Sequence, residues 1–173
     1  DLYYSLSKNN VFSCNLNTKS ININKLFENN KFGTLSADIV GQGRISSGKI
    51  SQADIKGHIN DFDYNNYKYS NISLDVISKN NKITGKIKAS DPNLDFNMDG
   101  SFQNNADRSY VTIKVSINHL KPKAINIAEK WGDADFQGNI VADLKGSNLN
   151  DMQGSIGITN MVMQMPEDAF EIK

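Results

Sequence analysis

Few residues in this chain are of the types that move protons, hold metals or attack carbonyl groups, and their spacing suits none of these tasks. His58, His119 and Cys14 are the candidates for metal ligation or nucleophilic catalysis. His58 lies between Gly57 and Ile59 in an alternating run, which turns it toward solvent, and neither histidine has a Cys or Glu at ligand spacing. Cys14 sits between Phe12 and Leu16 at an apolar-face position with no base beside it, so it reads as a buried structural thiol with no partner for an internal disulfide. Asp61-Phe62-Asp63 and Asp133-Ala134-Asp135 are carboxylate pairs of the kind that bind calcium. Without the glycine-centred loop and distal Glu of a calcium loop, they read as solvated turn acids. Phe62, Tyr67 and Tyr69 are types that stack on a sugar ring or pack as a cross-strand cluster. No Gly-x-Ser-x-Gly, phosphate loop or dinucleotide fingerprint occurs, so no enzyme, cofactor or metal is expected.

The elements that carry these residues are strands. Val111-Thr112-Ile113-Lys114-Val115-Ser116-Ile117-Asn118 puts β-branched aliphatics on one face and polar residues on the other. Similar runs are Leu35-Ala37-Ile39, Ile55-Gly57-Ile59, Ile72-Leu74-Val76, Ile83-Gly85-Ile87-Ala89, Leu94-Phe96-Met98, Ile140-Ala142-Leu144 and Ile156-Ile158. The Asn pairs 9–10, 29–30, 65–66, 80–81 and 104–105 fall between runs, where Asn tolerates a left-handed backbone. Asp91-Pro92-Asn93 closes a further turn, and Asp99-Gly100 is expected to end a strand. Two short stretches, Lys25 to Asn30 and Lys123 to Lys130 after Pro122, are expected as helical turns. The pattern predicts an all-β antiparallel meander with one or two such turns.

The chain has 173 residues, 38% of them hydrophobic, with 19 basic and 19 acidic side chains. No net field or basic cluster recruits nucleic acid. No apolar run approaches the roughly 20 residues of a membrane-spanning helix, and the chain opens at Asp1 without Met, as expected of a piece whose targeting segments lie elsewhere.

The chain also repeats itself. Ile21-Asn22-Ile23, Phe27 and Phe32 recur 104 residues on as Ile125-Asn126-Ile127, Trp131 and Phe136. Gly33 to Gly41 then matches Gly138 to Gly146 in the pattern Gly-x-aliphatic-x-Ala-Asp-aliphatic-x-Gly, whose core recurs at Ala53-Asp54-Ile55-Lys56-Gly57. Asp38, Asp54 and Asp143 of this motif are placed on the outer, wet face, and Gly33, Gly41, Gly57, Gly85, Gly138, Gly146 and Gly154 are expected as bend points. A unit of about residues 1–104 and part of a second from about 105 to 173 predict one elongated body that stacks equivalent units. Its apolar face must be hidden against a second sheet, in a closed barrel, or in a trough.

Tyr64-Asn65-Asn66-Tyr67-Lys68-Tyr69-Ser70-Asn71-Ile72-Ser73-Leu74-Asp75, followed by Ile83-Thr84-Gly85-Lys86-Ile87 and Asp91-Pro92-Asn93-Leu94-Asp95-Phe96, resembles the TamB/AsmA-like translocation and assembly module family in its Bacteroidota form. The resemblance runs from about Val11 to Met163 and rests on strand patterns rather than catalytic signatures. It implies a β-taco segment in the periplasm, belonging to a parent protein anchored in the inner membrane and reaching an outer-membrane assembly barrel. It also implies phospholipid transport or outer-membrane protein assembly, with acyl chains or nascent β-strands as cargo.

In that reading the groove is lined by Leu35, Ala37, Ile39, Ile55, Ile72, Leu74, Val76, Ile87, Phe96, Val111, Ile113, Val115, Ile140, Leu144 and Ile156. The competing readings are a closed β-sandwich adhesin or carbohydrate-binding module using Tyr67 and Tyr69, and a module that docks strands at its edge. A charge at Ile113 or Leu74 separates an open groove from a closed core. In an open groove Ile113→Asp leaves a folded protein, whereas in a closed core it costs several kcal/mol and unfolds the domain, which thermal melting distinguishes.

Overall fold

Alternation of this length, punctuated by two-residue turns, gives strands that pair with their sequence neighbours, and the computed structural model contains one such sheet. It describes residues 2–6, 10–46, 49–105, 107–147, 151–165 and 169–170, with the side chains of 2–6, 26–27 and 169–170 outside the description. Asp1, Asn9 of the first Asn pair, and the side chain of Phe27 therefore lie outside the described residues. The strands are β1 (Leu2–Leu6), β2 (Val11–Asn22), β3 (Phe32–Ser46), β4 (Lys49–Tyr64), β5 (Tyr67–Lys79), β6 (Lys82–Asp91), β7 (Leu94–Asn104), β8 (Ser109–Leu120), β9 (Asp135–Gly146), β10 (Gln153–Gln164) and β11 (Ala169–Phe170). They form a single antiparallel sheet in strict sequence order, curled but not closed, with β1 and β11 at its margins. Among the described residues no second sheet packs on it, so the closed sandwich is corrected to a single-layer meander.

The Asn pairs do what their backbone freedom allows. Asn65–Asn66 and Asn80–Asn81 have positive φ at both positions, the twist that joins antiparallel strands in two residues. Asp99-Gly100 does not end a strand. It lies inside β7, where Gly100 pairs with Gly85 on one side and Ile113 on the other.

A line of irregularities crosses the sheet and bends it. The register shifts between Thr18 and Ile21, between Asp95 and Phe96, between Ile117 and Leu120, and between Thr159 and Val162. Along this line Ser20, Asn71 and Asn160 adopt positive φ within strands. A bulge adds a residue, so the apolar face steps by three rather than two: Ile59 and Phe62 pair with Ile72 and Tyr69, and Ile117 and Leu120 pair with Gly138 and Phe136. Of the expected glycine bend points, Gly138 lies on this line with φ +154°, against the Asn160 bulge; the other positive-φ positions on it are Ser and Asn. Both can hydrogen-bond locally through short polar side chains.

Bending a ladder strands backbone donors, and side chains take them up. Ser20 N–H donates to Ser36 Oγ at 3.0 Å, Thr34 N–H to Asp63 Oδ2 at 3.3 Å, Ser70 N–H to Asp91 Oδ2 at 3.0 Å and Leu120 N–H to Asp135 Oδ1 at 3.2 Å. Asp63 and Asp135, one acid from each of the two calcium-candidate pairs, are thus strand-end acceptors, and Asp133 pairs with Lys123 at 3.1 Å.

Two connections cap the same end of the sheet. Residues 23–31 contain the single-turn helix α1 (Asn24–Phe27), and residues 121–134 form consecutive turns followed by a 3-10 turn at Glu129–Trp131. The helical turns expected at Lys25–Asn30 and Lys123–Lys130 are therefore shorter and displaced. The second cap reaches back across the sheet: Asn65 Nδ2 donates to the Asn126 carbonyl at 2.6 Å, and Asn126 Nδ2 to the Asn65 carbonyl at 3.0 Å. Tyr69 Oη donates to the Ile125 carbonyl at 3.2 Å, and Ile125 is fully buried. A flat sheet would hold β4 and β8 about 19 Å apart, so a compact cap that joins them records the curl. Ile125 belongs to this cap, whereas Ile21, its match in the sequence repeat, ends β2; the repeat preserves strand order rather than register.

Asp91 is the tightest of the anchors. It is 4% exposed and accepts from Tyr67 Oη, Ser70 N–H, Ser70 Oγ and Asn93 N–H. Removing a buried carboxylate that four donors require is costly. Asp91→Ala is expected to destabilise the protein by about 2–4 kcal/mol in urea unfolding, while Asp99→Ala on the polar face changes stability by about 0.5 kcal/mol or less.

Candidate functional site: the apolar face

Strand pairing aligns side chains in rows, and the rows sort the molecule into two faces. One row runs Cys14, Gly41, Ile55, Val76, Gly85, Gly100, Ile113, Ala142, Ile156. The next toward the capped end runs Leu16, Ile39, Gly57, Leu74, Ile87, Met98, Val115, Ile140, Ile158. Ala37, Ile72 and Phe96 fall in the row beyond it, Leu35 past the bend, and Val111 and Leu144 toward the open end. All fifteen residues singled out in the sequence therefore share one face. Ala37 and Ala142 are buried, Ile156 is exposed, and the others are half-buried, with no second layer over them among the described residues.

Small residues shape the floor of this face. The motif alanines Ala37, Ala53 and Ala142 are all buried. Gly43 and Gly57 provide clearance: a Cβ would lie 2.7 Å from the Phe12 ring at Gly43 and 2.9 Å from Ile39 Cγ1 at Gly57. The facing pair Gly85 and Gly100 leaves a low point between Val76 and Ile113, and a Cβ on Gly100 would meet nothing closer than the Thr112 carbonyl at 3.7 Å. Cys14 lies among these groups, against Gly41.

The opposite face is mainly polar and charge-matched, with Val40, Ile77 and Val141 exposed among its polar rows. Lys56, Asp75, Lys86, Asp99 and Lys114 follow one another across five strands, with Lys56–Asp75 and Lys86–Asp99 each at 3.5 Å. A depression of about 580 Å³ lies over this ladder, its lining including Ile77 beside Asp75, Lys86, Asp99, Thr112 and Lys114. Its alternating charges leave little net field for an ionic ligand. Asp38, Asp54 and Asp143 sit in neighbouring rows of the same face, with Asn17 Nδ2 and Asn60 Nδ2 donating to Asp38.

The groups capable of chemistry stay apart. His58 faces Ser73 Oγ at 3.2 Å on the polar side, and His119 Nδ1 lies 2.8 Å from Asp135 Oδ2 beside the bend. Among the described residues no three His, Cys, Asp or Glu side chains converge on a metal position. The aromatic candidates are not an exposed platform. Tyr67 and Tyr69 pack edge-to-face at 4.8 Å, Phe62 lies 6.2 Å from Tyr69, and Tyr69 is buried beneath the 121–134 cap.

Sequence reasoning missed Ile125 and Asp91, which plug and pin this end. The signals available were an aliphatic residue inside a polar connection and an acid directly before a turn proline.

Burial raises the Tyr67 and Tyr69 phenols above their ordinary 10.0, and hydrogen bonding to Asp91 adds to the effect at Tyr67. The folded state therefore holds protons that the unfolded chain releases. Stability from this source is complete below about pH 10 and is lost as pH rises through the folded values. Of six tyrosines, these two are expected to ionise late in an absorbance titration, with the urea midpoint falling above about pH 10.

Comparison with protein-family models, curated proteins and solved structures finds no match to this chain.

Proposed function

We propose that this chain is a non-enzymatic segment of a hydrophobic conduit in the cell envelope, carrying phospholipid acyl chains along its apolar face. The observation that carries the reading is the alignment of Leu35, Ile55, Leu74, Ile87, Ile113, Ile140 and their row partners on one face that no second layer of the described residues covers. An acyl chain gains about 0.8 kcal/mol for each methylene removed from water, while its transfer from a bilayer to an equally apolar trough is nearly neutral. A conduit built this way removes the aqueous barrier and requires no reactive group.

The TamB/AsmA-like resemblance points the same way: a periplasmic bridge in a longer protein anchored in the inner membrane, working with an outer-membrane assembly barrel. Acyl chains suit the groove better than a nascent β-strand. The backbone groups of the inner strands are consumed in their ladders, so a polypeptide laid on the face would find few partners for its own amides.

A photoreactive residue at Leu74 or Ile113, mixed with vesicles of phosphatidylethanolamine and phosphatidylglycerol, is expected to crosslink to lipid. The same group at Ser73 or Thr112, one residue away on the polar face, is expected to give no lipid adduct. Equal labelling from both faces, or none from either, contradicts the proposal.

A further inference from the structure

The charges of the chain balance overall, but the topology separates them. The cross-strand row nearest the open-end turns runs from Val11 on β2 to Gln153 on β10 and carries Arg44, Lys79, Lys82 and Lys145 with no acid. These four come from β3, β5, β6 and β9, so no run of the sequence brings them together. All are exposed, and among the described residues none forms an ion pair, unlike Lys56 and Lys86 of the charge ladder. Lys49 and Arg108 add to the same end, against Asp107 and Asp151. Lys79 and Lys82 face each other directly across the Asn80–Asn81 turn, a placement of like charges that destabilises a strand pair. The capped end differs: Asp61, Asp63 and Lys68 flank the β4–β5 turn, and Lys88, Asp91 and Asp95 the β6–β7 turn.

A row of unpaired cations at the margin of an apolar face is the complement of an amphiphilic anion. One residue inward, Ile83 and Phe102 of the apolar face are themselves exposed, at 41% and 37%. We infer that Arg44, Lys79, Lys82 and Lys145 hold the phosphate of the carried lipid at the open-end rim, and that this lipid is a net anionic phospholipid. The inference rests on the acyl-chain reading above. Lys and Arg lay their apolar stems along apolar surface while the charged heads stay in water, where they donate charge-assisted hydrogen bonds to phosphate oxygens. Selectivity follows from the missing acids. Phosphatidylglycerol brings only a phosphate to the row, whereas phosphatidylethanolamine also brings an ammonium group that the cations repel and no carboxylate of the row receives. The carried lipid thus lies with its headgroup at the open end and its chains toward the cap.

The probe is an equimolar mixture of dihexanoyl phosphatidylglycerol and dihexanoyl phosphatidylethanolamine below their micelle concentrations, so that no bilayer is present. With a photoreactive residue at position 113 of the full chain, phosphatidylglycerol adducts are expected to exceed phosphatidylethanolamine adducts at least about threefold. Lys79→Gln with Lys82→Gln is expected to equalise the two adducts, Lys79→Arg with Lys82→Arg to retain the preference, and Lys56→Gln on the charge ladder to leave it unchanged. The Gln pair is expected to keep or raise the urea midpoint, since it removes facing like charges. Equal yields in the wild type, or a preference unmoved by the Gln pair, overturn the inference and leave the acyl-chain reading standing. No adduct of either lipid overturns both. A preference found only with vesicles places the row on a membrane surface, and one abolished by equimolar glycerol phosphate marks a free-anion site; either result also overturns the inference.

Discussion

A sheet bends sharply where its backbone ladder is broken, and every broken rung leaves a polar group that must be satisfied. In this protein the breaks line up from Thr18–Ile21 on β2 to Thr159–Val162 on β10, and the freed donors are taken by Ser36, Asp63, Asp91 and Asp135. These side chains allow one long meander to bend without a second layer behind it. Alternation sets the apolar rows on one side and the matched charges on the other, and with the bend the 121–134 cap meets the β4–β5 turn.

A single-layer sheet lacks the thick core that stabilises a sandwich. Its described buried residues include small alanines and glycines of the strands and a few larger groups at the capped end, among them Ile23, Tyr69, Asp91 and Ile125. Cross-strand pairs and ladder hydrogen bonds supply the remaining cohesion, at a fraction of a kcal/mol for each pair. The arrangement leaves apolar surface only partly covered, which is the physical condition for a lipid-bearing groove. The same economy explains the strong anchoring at the capped end, where Asp91 and the Phe62, Tyr67 and Tyr69 cluster hold neighbouring strands together.

Much of this was legible in the residues. The run from Val111 to Asn118 lies within β8 with its aliphatics on one face, and Asn65–Asn66 and Asn80–Asn81 form turns because Asn accepts positive φ. The bend was harder to see, although its trace is present. Alternation steps by three between Ile59 and Phe62, between Tyr69 and Ile72, and between Ile117 and Leu120, and a period-two reading passes over such single-residue slips. Asp99-Gly100 has the composition of a turn but sits mid-strand, because Gly100 faces Gly85 and strand pairing on both sides overrides the local preference. The roles of Asp91 and Ile125 depend on partners more than 20 residues away, which spacing does not reveal.

The central claim is that the apolar face is open and holds acyl chains. Native mass spectrometry of the protein purified from cells, followed by lipid extraction, tests it most directly. The account predicts co-purifying phospholipid, released when Gly100→Leu fills the low point of the face that the structure leaves vacant. A wild-type protein that remains lipid-free when purified in the presence of phospholipid vesicles would contradict it.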